Sequence, residues 1–94
     1  MGDAPRHLIF TQVAASTSPH AALRQAGAWG LGVLADAGAA VPDAPRALVA
    51  ALTQYPRDGE CGASDMAFEN AVAACVEIKL RAPHAIDECV ELTG

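Results

Sequence analysis

An all-α fold of stacked antiparallel helix pairs, an α-solenoid, is predicted for this 94-residue chain by three observations. Its apolar residues recur at helical spacing, and no segment shows the period-2 alternation of a half-buried strand. Residues 24–35, Arg-Gln-Ala-Gly-Ala-Trp-Gly-Leu-Gly-Val-Leu-Ala, put Ala and Gly where Leu could sit. A helix built that way must lie very close to a neighbour. A weaker copy of this stretch then returns 44 residues later: 24–34 laid on 68–78 brings Gly30 onto Ala74, Leu31 onto Cys75 and Leu34 onto Ile78.

The elements follow in order. Leu8, Ile9 and Val13 give a weak helical stripe over 7–16. Ser16-Thr17-Ser18-Pro19 stops it, and Ser18 is expected to cap a second helix with Pro19 in the first helical position. That helix runs to about Ala37, where Gly38 ends it. Leu23, Gly27, Gly30, Leu31, Leu34 and Gly38 form its expected core stripe. Gln25, Trp29, Gly32 and Asp36 form the opposite stripe, facing a groove or solvent. A third helix is expected over 44–54, with Asp43 as cap, Leu48, Val49, Leu52 and Tyr55 on one face, and Tyr55-Pro56 as its end. The polar stretch 57–63 reads as a loop. Ser64 then caps a long helix through about Arg81, with Ala71, Ala74, Cys75 and Ile78 inward, and a last helix starts at His84. The 44-residue offset lies within the roughly 40–47 residues of HEAT units. The chain is therefore read as one HEAT-repeat segment over 1–94: one repeat at about 5–38, a second at about 42–82 and the start of a third at 84–94.

Composition narrows what such a chain can do. Hydrophobic residues make up 52%, but Ala dominates them and aromatics are only 4%. An Ala buries roughly one methyl, whereas a Leu or Phe contributes about 1.5–3 kcal/mol on burial. A unit that completes its core against neighbouring repeats has this composition. The net charge of −5 is uneven. Residues 1–54 balance Asp3, Asp36 and Asp43 against Arg6, Arg24 and Arg46. Residues 55–94 set eight acids against Arg57, Lys79 and Arg81. That balance argues against nucleic acid as a direct partner and allows a basic protein partner, while a solvated acidic surface that only aids solubility is the simpler account of it.

Cys61, Cys75 and Cys89 are odd in number and have no Cys-x-x-Cys spacing, while His7, His20 and His84 are scattered. Neither a zinc site nor a disulfide framework is expected, and reduced thiols suit a cytosolic or nuclear protein. No signal peptide is read at the N-terminus, and no membrane insertion is expected, since the longest apolar run, 26–41, is Gly-rich and contains Asp36.

Gly30-Leu31-Gly32-Val33-Leu34-Ala35 matches the Gly-x-Gly-x-x-Ala string of dinucleotide-binding turns. No strand precedes it, however, so close helix packing is the better account. Asp58, Glu60, Asp65 and Glu69 show no spacing to a His or Cys that makes a catalytic pair, and no catalytic residue, metal ligand or cofactor is expected. The expected activity is binding rather than catalysis. The candidate partner-binding residues are Gln25, Trp29, Asp36 and Glu69. An aromatic one or two turns from a carboxylate suits a Lys or Arg side chain, and such a cation–π contact contributes about 0.5–2 kcal/mol. Asn70 is expected to bond a neighbouring backbone carbonyl.

Ser18, Pro19, Arg24, Gln25, Ala26, Ala28, Trp29 and the run from Gly30 to Ala35 resemble a string found late in importin-β superfamily receptors (karyopherins), the importin beta-3 branch in particular. Glu69, Asn70, Ala74 and Ile78 resemble a later helix of the same receptors. The chain departs from the family's pattern at Ser18, which stands for an acid, and at Val76-Glu77, which stand for Gly-Lys. The resemblance covers about 18–82. It implies a nuclear import receptor that moves between cytoplasm and nucleus, carries basic protein cargo, and works with Ran-GTP and nucleoporins. A HEAT scaffold unrelated to transport, or a truncated product with no function of its own, remains as the alternative.

Overall fold

The computed structural model describes residues 6–56 and 62–93. They form five helices and no strand: α1 (Arg6–Ser16), α2 (Ala21–Asp36), α3 (Ala44–Gln54), α4 (Ala63–Arg81) and α5 (Pro83–Thr93). The expected start of the first repeat and the loop carrying Asp58, Glu60 and Cys61 lie outside the described residues.

The helix ends show which local signals operated. Gly38 has φ +86°, and the amides of Gly38 and Ala39 donate back to the carbonyls of Ala35 and Leu34, at 3.0 and 2.9 Å. This is a Schellman stop, which requires the left-handed conformation that Gly adopts without penalty. Helix α3 has the expected bounds, with Pro45 in its first turn and Tyr55 at its C-cap. Asp43 occupies the position before α3 but makes no side-chain cap.

At the other two expected caps, the position itself is corrected. Helix α2 starts at Ala21 with His20 before it, two residues later than expected. The Ser18 hydroxyl accepts the His20 amide at 3.1 Å, so Ser18-Pro19 builds a local turn rather than the first turn of the helix. Helix α4 starts at Ala63 behind Gly62, which has φ +120°, so Ser64 is already inside the helix.

The packing follows chain order. Helices α1, α3 and α5 touch in succession, α2 lies against α4, and each of α1–α2, α3–α4 and α4–α5 is also in contact. The molecule spans 39 × 26 × 17 Å, and the short dimension suits two helix layers whose axes are about 8–10 Å apart. The core lies between the layers and consists of Ala28, Leu31, Ala35, Leu48, Val49, Ala71, Ala74, Ile78 and their neighbours.

Helices α2 and α4 run in the same direction. The Asn70 side-chain amide donates to the Gln25 carbonyl at 3.1 Å, and Arg81 donates to the Asp36 carbonyl at 2.9 Å. Both links join residues 45 apart, at the two ends of the pair, so the helices are parallel and in register.

The core stripe of α2 differs from the expected one. Arg24, Gly27, Ala28, Leu31 and Ala35 are buried, whereas Leu23 is 50% exposed and Gly30 and Leu34 are half-buried. Gly32, expected on the outer stripe, faces α4, and a Cβ built on it would sit 3.5 Å from Ala74. The expected stripe was drawn through the largest apolar side chains. Packing instead selected the Ala-lined edge, because two backbones approach most closely where side chains are smallest. The internal copy shifts with it. Arg24, Ala28, Leu31 and Ala35 correspond in burial to Ala67, Ala71, Ala74 and Ile78. The buried positions of the two helices thus recur 43 residues apart, one fewer than the offset at which the sequences align.

Candidate protein-binding groove

The outer edge of the α2–α4 pair carries a groove. Its larger part, about 270 Å³, is lined by Ala22, Gln25, Ala26, Trp29, Met66 and Asn70. The adjoining part, about 220 Å³, runs past Trp29, Gly32, Val33, Asp36, Asn70, Ala73 and Glu77. Trp29 and Asn70 line both parts and so join them into one trough.

Each wall has a local cause. In α2, Gln25, Trp29, Gly32 and Asp36 recur at helical spacing along one edge; in α4, Met66, Asn70, Ala73 and Glu77 do the same. The floor is shallow because Gly32, Ala73 and Ala74 have little or no side chain where the helices meet. Trp29 is 63% exposed, so its indole forms part of the groove wall rather than the core.

The lower end of the groove is charged. The Arg81 guanidinium lies 3.1 Å from a Glu77 carboxylate oxygen and 3.7 Å from an Asp36 carboxylate oxygen. Two carboxylates thus share one cation, which leaves this end with a net negative charge. All three side chains are at least partly exposed. Such pairs contribute only about 0–1 kcal/mol, so an incoming cation can displace Arg81.

Of the four expected partner-binding residues, the structure places Gln25, Trp29 and Asp36 in one groove. Gln25 also contributes a main-chain carbonyl to the Asn70 bond. Glu69 is exposed on α4 and is not among the residues lining either part. The sequence reading missed Met66, Val33 and Glu77 as groove residues, and it missed Arg81 as the cation that Asp36 and Glu77 share. Glu77 and Arg81 are four residues apart on one helix, a spacing that signals an ion pair. That they reach Asp36 depends on the register of α2 against α4.

Arg24 is a residue to which the sequence reading gave no structural role. It is only 6% exposed. Its guanidinium donates to the carbonyls of Ser18 and Pro19, at 2.9 and 3.0 Å, and stacks 3.8 Å from the centre of the Tyr55 ring. It therefore ties the α1–α2 turn to the end of α3. Cys75 packs against the core, and burial, with Cys89 adding to it, pushes its thiol from the ordinary 9.0 up to about 11. A thiol held neutral in this way is a poor nucleophile.

Among the described residues there is no cluster of three or more His, Cys, Asp or Glu able to hold a metal, and no helix long and apolar enough to cross a membrane. No family model, curated protein or solved structure matches the chain.

Proposed function

We propose that this chain is a pair of stacked HEAT-type helix repeats acting as a protein-interaction module, whose α2–α4 groove binds a basic segment of a partner protein. The repeat reading is supported by the layered contact order and by the 43-residue register of buried positions, which falls in the range of HEAT units. The groove itself carries the binding reading: an exposed Trp29 stands beside an acidic end where Asp36 and Glu77 share one Arg. A Lys or Arg side chain laid on the indole gains the cation–π attraction and reaches those carboxylates.

Trp29 is the only Trp, so its emission reports the groove directly. Titration with a Lys/Arg-rich peptide is expected to change that emission saturably and to weaken as salt rises. An acidic peptide of equal length should leave it unchanged. No response to the basic peptide, or an equal response to both, overturns the reading.

The second reading is a piece of a karyopherin-type import receptor, with basic cargo in the groove and a cytoplasmic and nuclear distribution. It is favoured by the resemblance over Ser18 to Ala35, since those residues form the α1–α2 turn, which Arg24 ties down, and nearly all of α2. Binding to Ran-GTP and to Phe-Gly nucleoporin repeats separates the two readings, because a scaffold outside transport binds neither.

A further inference from the structure

We infer that Cys75 and Cys89 are a dithiol pair that closes reversibly to a disulfide and locks the last helix, α5, onto α4. A single residue, Ala82, separates the two helices. Its amide donates to the Ile78 carbonyl at 2.7 Å, and its own carbonyl accepts the Ala85 amide at 3.0 Å. The chain therefore reverses within one residue, and α5 runs back along α4. Two pairs fix the register of this hairpin. Ile78 and Ile86, each four residues from Ala82, are buried in one core cluster. The Lys79 Nζ lies 3.6 Å from an Asp87 carboxylate oxygen. Cys75 and Cys89 stand one helical turn beyond the isoleucines, each seven residues from Ala82.

Both cysteines are half-buried thiols packed against the core that contains Ile78 and Ile86. They are near enough that Cys89 adds to the upward push on the Cys75 thiol. A disulfide requires Cα atoms about 4.4–6.8 Å apart, and the small side chains of Ala82 and Ala85 let the helices approach closely at the turn. Their spacing of 14 residues carries no motif along the chain; reversal about Ala82 is what sets the two sulfurs opposite each other. The link also has something to add. The Lys79–Asp87 pair that joins α5 to α4 is more than half exposed on both sides, and such pairs contribute little.

Closure consumes a disulfide oxidant, and oxidised glutathione serves. The Cys89 sulfur attacks it, forming a mixed disulfide and expelling one glutathione, which takes up the Cys89 proton. The Cys75 sulfur then displaces the second glutathione, which takes up the Cys75 proton. Two protein thiols are oxidised to one disulfide, and one glutathione disulfide is reduced to two thiols.

The test uses the full chain carrying Cys61→Ser, with Cys61→Ala in parallel, so that only the two inferred thiols remain. Each is equilibrated with mixtures of reduced and oxidised glutathione, in buffer and in urea. In buffer, a monomer lighter by about two hydrogens is expected, from which trypsin releases segments 58–79 and 82–94 joined. The closure constant should be at least about tenfold larger in the folded chain than in urea, because the fold holds the sulfurs together. By linkage, oxidation should then raise the melting midpoint by about 4–8 °C, and excess thiol should reverse the rise. Adding Cys89→Ala should abolish the rise. Glutathione that stays attached without closure, a disulfide between two chains, or a closure constant no larger in buffer than in urea overturns the inference. Neither cysteine lines the groove. If basic peptides fail to perturb Trp29 while the disulfide closes, the proposed groove function fails and this inference stands.

Discussion

Two glycines of α2 that look alike in sequence have opposite structural roles. A Cβ on Gly27 would meet the Ser16 amide nitrogen at 2.5 Å, the Gln12 carbonyl oxygen at 2.8 Å and the Ala15 carbonyl carbon at 2.9 Å. All three are backbone atoms of α1 and cannot yield without moving the helix. Gly27→Ala is expected to destabilise by about 1–3 kcal/mol. At Gly32 the nearest atoms are those of Ala74 at 3.5 Å, an ordinary contact. Gly32→Ala is expected to stabilise by about 0.5–1 kcal/mol through helix propensity. Urea unfolding of the two variants beside the wild type measures both, and a shared sign would contradict the packing described. Arg24→Ala removes two charged hydrogen bonds and the stack on Tyr55, and a loss of about 2–4 kcal/mol is expected in the same assay. Arg24→Lys should restore only part of that loss, because an ammonium lacks the planar fork. Cys75 supplies a pH prediction. The fold favours its neutral thiol, so that contribution is complete below pH 9 and is lost as pH rises through about 11. Wild type should lose more stability over that interval than Cys75→Ala, and equal losses would show that the thiol is not held neutral by the fold.

Among the elements, the α2–α4 pair sets the geometry of the candidate site. Its two cross-links differ in environment: the Asn70 bond to Gln25 is part-buried, whereas the Arg81 bond to Asp36 is exposed. Asn70→Ala is expected to cost about 0.5–1.5 kcal/mol. Because the bond fixes the two walls of the groove against each other, peptide affinity should fall along with stability. Paired calorimetric and peptide-binding measurements on Asn70→Ala check this. A loss of stability with unchanged affinity would mean that core packing alone aligns the helices. Much at this scale was legible in the chain: α3 has the bounds its prolines indicate, Gly38 ends α2, and Asn70 bonds a main-chain carbonyl as expected. The buried edge of α2 was not legible. Hydropathy ranks Leu23 and Leu34 above Ala28 and Ala35, and it gives no credit for the close approach that alanines permit.

For the whole molecule, Trp29 and Arg24 separate binding from folding. Trp29→Ala is expected to leave the melting midpoint nearly unchanged, because the indole already faces solvent. The same change should weaken a basic peptide by about tenfold, or 1.4 kcal/mol. Calorimetric titration and a thermal melt on one preparation test this, and a large drop in midpoint with intact affinity would make Trp29 a packing residue instead. The helical class, the helix count, the main breaks and the residue types lining one face of α2 were set by local chemistry: periodicity, prolines, glycines and an alanine-rich composition act within a few residues of themselves. Which edge of α2 is buried, why an arginine belongs in the interior, and how Asp36 comes to share Arg81 with Glu77 were decided only in three dimensions. Those features depend on the rotation and register of helices about 45 residues apart, and that register is settled by how closely two backbones can approach.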